Sequence, residues 1–257
     1  MPKSHLLWII ITLVFISPAT GQSGAATANG PKVNVAFFAN DEYGKPVSGV
    51  ASSDLVTLDN RTAPQRVLGI RSRSETPLLL GILIDTSGSQ EGSAVYKAAV
   101  QAASEFSGRV LNDGDDRAFF EQFASTPEAT QLVDKREFLK LKIDLHPGGR
   151  TALYDALRLA CDERMKTDPS RDFLRVIVLV SDGDDTDSHN NLGQAIRSAQ
   201  RAGVVIFTLD TGRFSMEEHL PANAIVPASQ PRRTGPIILH DMADETGGVA
   251  FLNPHYS

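Results

Sequence analysis

The chain has 257 residues, a net charge of −6 and an ordinary share of apolar residues, so it can hold one full domain with a smaller companion and bury a core. It lacks the basic stripe of a nucleic-acid binder, which excludes DNA or RNA as a partner. Its single cysteine, Cys161, excludes an intrachain disulfide and is most simply a small buried hydrophobe.

The N-terminus reads as an export signal. Lys3 supplies positive charge, residues 6–16 are a short apolar run, and Ala19, Thr20 and Gly21 are small residues of the kind a signal peptidase accepts. The expectation is a signal peptide over 1–21 and a secreted, periplasmic or cell-surface protein. Retained rather than cleaved, this segment would be an anchor and the one route to a membrane. Residues 22–30, rich in Gly, Ala, Ser and Thr, read as a flexible leader.

Residues 31–76 read as a small β segment. Strands are expected at 33–38, 55–58 and 66–70, with turn chemistry at Asp41, Gly44, Pro46 and Gly49. Its bland reading is an add-on beside the main domain; the other is a binding module.

From Pro77 the pattern changes. Near-continuous apolar strands are expected at 78–84, 118–123, 176–180, 204–209 and 249–252. Helical patterns lie between them: Val95, Ala98, Ala102, Phe106 and Val110; a helix starting near Thr151 with Leu153, Leu157 and Ala160; and Leu192, Ala195, Ile196, Ala199 and Ala202. Strands this apolar are covered on both faces, which predicts a doubly wound, mostly parallel sheet flanked by helices over 77–257. The Pro-rich stretch 213–236 reads as a long loop.

Three segments offer oxygen at strand or helix ends. Asp85, Ser87 and Ser89 follow the first apolar strand, Thr151 opens a helix after Gly148 and Gly149, and Asp182 follows the strand at 176–180. In open α/β sheets ligands bind outside the carboxyl ends of the strands. Carboxylates and hydroxyls on small side chains are the ligands of a hard divalent cation, Mg²⁺ first, with Mn²⁺ or Ca²⁺ also suited. Two carboxylates balance one such ion, and so small a set leaves a coordination position for an outside oxygen. The natural occupant is an Asp or Glu carboxylate of a protein partner. Each residue also has a plainer reading: a turn and helix cap at 85–89, a cap at Thr151, a strand end at Asp182. Asp184, Asp185, Asp187 and Glu91 read as solvated surface. The histidines show no zinc spacing, and no phosphate-binding loop or hydrolase elbow is present. Asn60-Arg61-Thr62 matches a glycosylation sequon by chance.

An enzymatic reading exists. L-I-D-T-S at Asp85 and T-L-D-T-G at Asp210 echo the paired signature of aspartic proteases. The first lacks the required glycine, and the surroundings are helical. A third reading is a metal-independent scaffold that makes contacts through its β segment.

With D-x-S-x-S at 85–89, G-G-R-T-A-L-Y-D-A at 148–156 and V-S-D-G-D-D at 180–185, the chain resembles a von Willebrand factor type A (VWA) domain with a complete metal-ion-dependent adhesion site. The resemblance covers about residues 77–253. The segment D-E-Y-G-K-P-V-S-G-V-A-S-S-D-L is similar to what precedes this domain in a group of secreted bacterial proteins. The resemblance implies a non-catalytic, cation-dependent adhesion module, with Ser87, Ser89 and Thr151 on the ion and Asp85 and Asp182 acting through water. The family continues into a final helix where this sequence ends, so uncovered apolar sheet surface is expected.

Overall fold

The computed structural model describes residues 35–37, 39, 41, 45, 47, 49–55, 69–88, 95–166, 172–211 and 234–252. The expected signal peptide and leader lie outside them, and among the described residues no helix is long and apolar enough to cross a membrane. The chain divides into two units, Met1–Ser72 and Arg73–Ser257.

In the first unit, the expected strands are represented by Val35 to Phe37, Leu55, and Gly69 with Ile70, and none of these is in a strand. The rest of the expected strand residues lie outside the described ones, and the hydrogen bonds described here are local. Asp41 N–H donates to the Lys45 carbonyl and Val47 N–H to the Ala39 carbonyl, both at 2.8 Å. The Asp41 carboxylate accepts from Lys45 N–H at 2.9 Å. A 3-10 turn follows at Ser52–Asp54.

The second unit begins ahead of Pro77 because Arg73 is tied into it. Its guanidinium donates to the Val110 carbonyl at 3.0 Å and pairs with Asp116. Asp116, itself buried, also accepts from Leu78 N–H at 2.8 Å and Asn112 N–H at 2.6 Å. One carboxylate thus fixes the start of the first strand beside the start of the second.

The sheet has six strands: β1 (Leu78–Asp85), β2 (Arg117–Phe123), β3 (Pro127–Ala129), β4 (Leu174–Ser181), β5 (Val204–Asp210) and β6 (Ala250–Phe251). Their order is β3-β2-β1-β4-β5-β6. Every pairing is parallel except β2 with β3. The helices are α1 (Val95–Val110), α2 (Lys135–Phe138), α3 (Leu153–Leu159), which runs on into a π turn at Ala160–Arg164, α4 (Leu192–Ala202) and α5 (Gly235–Asp244). All five strands expected from apolar runs are present. β3, α2 and α5 are additions.

Strand alternation sorts the core into two layers. Leu79, Leu83, Phe119, Phe123, Ile177, Leu179 and Ile206 face α3, α4 and α5. Leu78, Leu80, Ile82, Ile84, Ala118, Phe120 and Val176 face α1 and α2. This double coverage is why the strand sequences are apolar at successive positions. α1 sits rotated from its expected face. Ala103 and Ser107 are buried while Ala98, Ala102 and Phe106 are exposed, since small residues allow the helix to lie close on the sheet. The stretch expected to loop as far as residue 236 ends earlier: Gly235 opens α5 and Pro236 follows in its first turn, where a missing N–H costs nothing. Leu209 and Phe251 pair in register on β5 and β6, and both are exposed.

One buried group is out of place. Glu121 on β2 is fully buried, and neither carboxylate oxygen has a hydrogen-bond partner. Burial pushes its carboxyl up from 4.5 to about 8, partly offset by the charge of Arg164 and reinforced by Glu163. The native state therefore keeps a proton that the unfolded chain releases, and stability falls as pH rises from 4.5 towards 8. Glu121→Gln mimics the protonated acid. Urea unfolding should find the variant more stable than wild type by roughly 2–4 kcal/mol near pH 8, with the gap closing near pH 4.5. A gap of the same size at both pH values would contradict this assignment.

Candidate metal centre

The strand order reverses at β1. From there the chain runs outward to β2 and β3, then returns to place β4 on the other side. The carboxyl ends of β1 and β4 therefore form the crevice where α/β sheets bind ligands. Asp85 is the last residue of β1, and Asp182 directly follows β4.

Asp85 is 2% exposed. Its Oδ2 accepts from the Ser181 hydroxyl at 2.7 Å and its Oδ1 from Ser87 N–H at 2.9 Å. Burial pushes its carboxyl up to about 6; the bonds from Ser181 and Ser87 work against that rise, and the charge of Asp182 adds to it. Asp182 is also buried, and its Oδ1 accepts from Asp184 N–H at 3.1 Å.

Backbone hydrogen bonds draw three loops together. Gly148 N–H donates to the Thr86 carbonyl at 2.8 Å, and Gly88 N–H to the Gly149 carbonyl at 3.0 Å, joining the loops after β1 and before α3. Thr86 N–H and Ala152 N–H donate to the carbonyls of Phe123 and Ala124, which fastens both loops to the end of β2. Thr186 and Asp187 N–H groups each donate to the Thr151 carbonyl at 2.9 Å, and Thr151 N–H returns a bond to the Thr186 hydroxyl at 3.0 Å. Arg150 closes the same seam through the Thr186 carbonyl and Asp187, 3.2 Å away.

Of the residues singled out from sequence, Asp85, Ser87, Thr151 and Asp182 are all buried on these loops. Ser89 lies outside the described residues. Thr151 is not a helix cap: the N-cap of α3 is Ala152, with no side-chain cap bond. The exposed helix amides are met from another loop. Tyr154 N–H donates to the Ser188 hydroxyl at 3.0 Å and to Asp185 at 3.3 Å, and Asp155 N–H donates to Ser188 at 3.1 Å. Asp185 and Asp187, read from sequence as solvated surface, therefore have structural partners. Asp155 completes the arrangement by accepting from the backbone amides and side chains of His189 and Asn190.

Sequence reasoning also missed Gly235. The first residue of α5 lies directly on the Asp182 loop: a Cβ there would fall 2.0 Å from the Asp182 carbonyl oxygen. Gly183, at φ +81, has the matching constraint, its Cβ falling 2.3 Å from the Gly235 carbonyl oxygen. Only two glycines allow the backbones to touch here.

The donor set suits a hard divalent cation. Four buried side chains offer oxygen only, two of them carboxylates, and the hydrogen-bond partners of Asp85 are the hydroxyls of Ser181 and Ser87 and the Ser87 amide rather than a cation. Among the described residues no three His, Cys, Asp or Glu side chains cluster as a metal site, so any ion here depends on hydroxyls. Asp210, the second carboxylate of the protease-like pattern, ends β5; β4 separates that strand from β1, and Ser181 is the residue in register with it.

Comparison with protein families matches residues 80–235 to the von Willebrand factor type A domain. The chain belongs to this family. Domains of the VWA family commonly bind divalent metals. No functionally curated protein matches the chain. Among solved structures, an aerotolerance-related membrane protein from Bacteroides fragilis is 20% identical, with 70% of this chain and 93% of that one covered and a TM-score of 0.47. BatB from Bacteroides thetaiotaomicron is 19% identical, covering 67% and 88%, with a TM-score of 0.47. A von Willebrand factor type A protein from Catenulispora acidiphila is 19% identical, covering 70% and 40%, also with a TM-score of 0.47.

The Gly235 contact gives a test of the site's construction. Gly235→Ala should displace the Asp182 loop and weaken Mg²⁺-induced thermal stabilisation of the domain by at least about tenfold in midpoint concentration. Gly203→Ala, at the C-cap of α4, supplies a control for general destabilisation. An unchanged Mg²⁺ response in Gly235→Ala would show that this contact does not position the loop.

Proposed function

We propose that the protein is an exported, non-catalytic binding module that grips a protein partner through a divalent cation, Mg²⁺ in the first instance. Ser87, Ser89 and Thr151 would hold the ion directly. Asp85 and Asp182 would balance its charge and act through water, with Ser181 and Ser87 N–H fixing the Asp85 carboxylate. When bound, the ion supplies a Lewis-acidic position for an Asp or Glu carboxylate of the partner.

What supports this reading is that Asp85, Ser87, Thr151 and Asp182 are all buried and belong to segments hydrogen-bonded to one another backbone to backbone. Loops already joined in this way need little further ordering to hold a compact ion through a few small ligands. The oxygen-only chemistry favours Mg²⁺, Mn²⁺ or Ca²⁺ over softer metals. Export rests on the N-terminal sequence pattern alone.

Titrating the purified chain with Mg²⁺ while following its thermal midpoint tests the proposal. An ion that binds only the folded state stabilises it by about 2.7 kcal/mol at a hundred times its dissociation constant. Wild type should show a saturable rise that EDTA reverses. Thr151→Val and Asp85→Ala should abolish the rise while the variants stay folded by circular dichroism. An equal rise in wild type and both variants would place the ion elsewhere, and no rise in wild type would remove the metal from the account.

A further inference from the structure

α4 has two distinct faces. Ala195, Ser198 and Ala199 are buried, whereas Gln194, Arg197 and Arg201 are exposed on the opposite side. Arg197 and Arg201 stand four residues apart, a spacing at which like charges repel and weaken a helix. Arg201, in the last turn, is favoured by the helix dipole, whereas helix stability does not explain Arg197 beside it. α3 brings a third guanidinium, Arg158, opposite this pair. Arg158, Gln194, Arg197 and Arg201 together line a cavity of about 250 Å³.

The one carboxylate engaged beside it, Asp162, is already in use. Its Oδ2 accepts from Arg158 at 3.1 Å and its Oδ1 from the Ser198 hydroxyl. Burial acts to raise the Asp162 carboxyl, but the bonds from Ser198 and Arg158 and the charges of Arg158 and Arg201 outweigh it and hold the group below its ordinary range. Arg197 and Arg201 form no ion pair with a described residue. Two positive charges are thus left in excess at one notch of a chain whose net charge is −6.

Local construction supports the arrangement. Gly193 sits in the first turn of α4. A Cβ at that position would lie 3.2 Å from Nη1 of Arg197. The glycine leaves room for the guanidinium to lie back along the helix. The capping box commits the Gln194 carbonyl oxygen to Asn191 N–H at 2.9 Å, which leaves its amide nitrogen as a donor.

We propose that the α3–α4 notch is a binding site for a doubly negative tetrahedral oxyanion, a phosphate monoester, held by Arg197, Arg201 and the Gln194 amide, with Arg158, whose guanidinium already donates to Asp162 and to the Asn190 side chain, lining the wall beside them. The ligand's charge equals the excess, and guanidinium forks match phosphate oxygens in pairs. The volume takes one such group with its waters and is below that of a drug-sized ligand site. The site is separate from the candidate metal centre and does not depend on it.

The test uses the full chain in EDTA, with inorganic phosphate as the probe and chloride at matched ionic strength as the control. Phosphate should raise the thermal midpoint of wild type saturably. The double variant Arg197→Gln with Arg201→Gln, both exposed and outside the core, should need at least about tenfold more phosphate for the same rise, since each lost charged bond is worth about a factor of ten. Sedimentation with vesicles containing phosphatidic acid, against phosphatidylcholine alone, identifies the source. Co-sedimentation lost in the variant assigns a lipid headgroup, and phosphate stabilisation without co-sedimentation assigns a soluble ester. No saturable effect in wild type, or the same effect in the variant, overturns the proposal.

Discussion

The parallel register of β1 on β4 is the constraint on which the rest of this structure depends. Ile84 pairs with Val180, so the next residue of each strand, Asp85 and Ser181, arrives at the same rim. There the Ser181 hydroxyl donates to Asp85 at 2.7 Å. A slip of one residue would exchange the two faces of β1 and drive its apolar side chains into the wrong layer. Core packing on both faces thus forbids the slip, and the buried interior fixes the position of the site's central carboxylate. The chemistry at the rim follows from hydrophobic burial many residues away.

A second level of order comes from hydrogen bonds between loops. The glycines at 88, 148 and 149 let the backbones after β1 and before α3 meet, and the Thr151 carbonyl takes two amides from the loop after β4. That last loop also caps α3 through Ser188 and Asp185. Cap and seam together leave the Thr151 side chain free of the task that its position before a helix suggests. The backbone contact of Gly183 with Gly235 ties the start of α5 to the same loops.

Much of this was legible in the sequence, for physical reasons. β1, β2, β4 and β5 are covered on both faces, so their residues are apolar in succession and stand out. Of the outermost strands, the apolar run 249–252 still marks β6, but nothing marks β3. β3 is three residues with a proline, held by one neighbour, and β6 is only two residues long. α5 was hidden because Gly235 and Pro236 look like loop residues, although Pro236 suits the first turn of a helix. The face of α1 was misjudged because size matters as well as hydropathy: Ala103 and Ser107 pack closely where Phe106 cannot. Asp85, Ser87, Thr151 and Asp182 could be picked out because each sits next to a strand or helix end. The capping role of Asp185 could not, since it depends on a contact 31 residues away in sequence. Most of the strand residues expected in the first unit lie outside the described residues, and the hydrogen bonds described there are local, such as the Asp41–Lys45 turn.

The central claim is that oxygens from three loops close around one cation. An anomalous difference map from crystals of the full chain grown with Mn²⁺ tests it most directly. The account predicts a single strong peak bonded to the hydroxyls of Ser87, Ser89 and Thr151, with the carboxylates of Asp85 and Asp182 bridged to it by water. A map with no peak at the carboxyl ends of β1 and β4, or with manganese held by other residues, would contradict it.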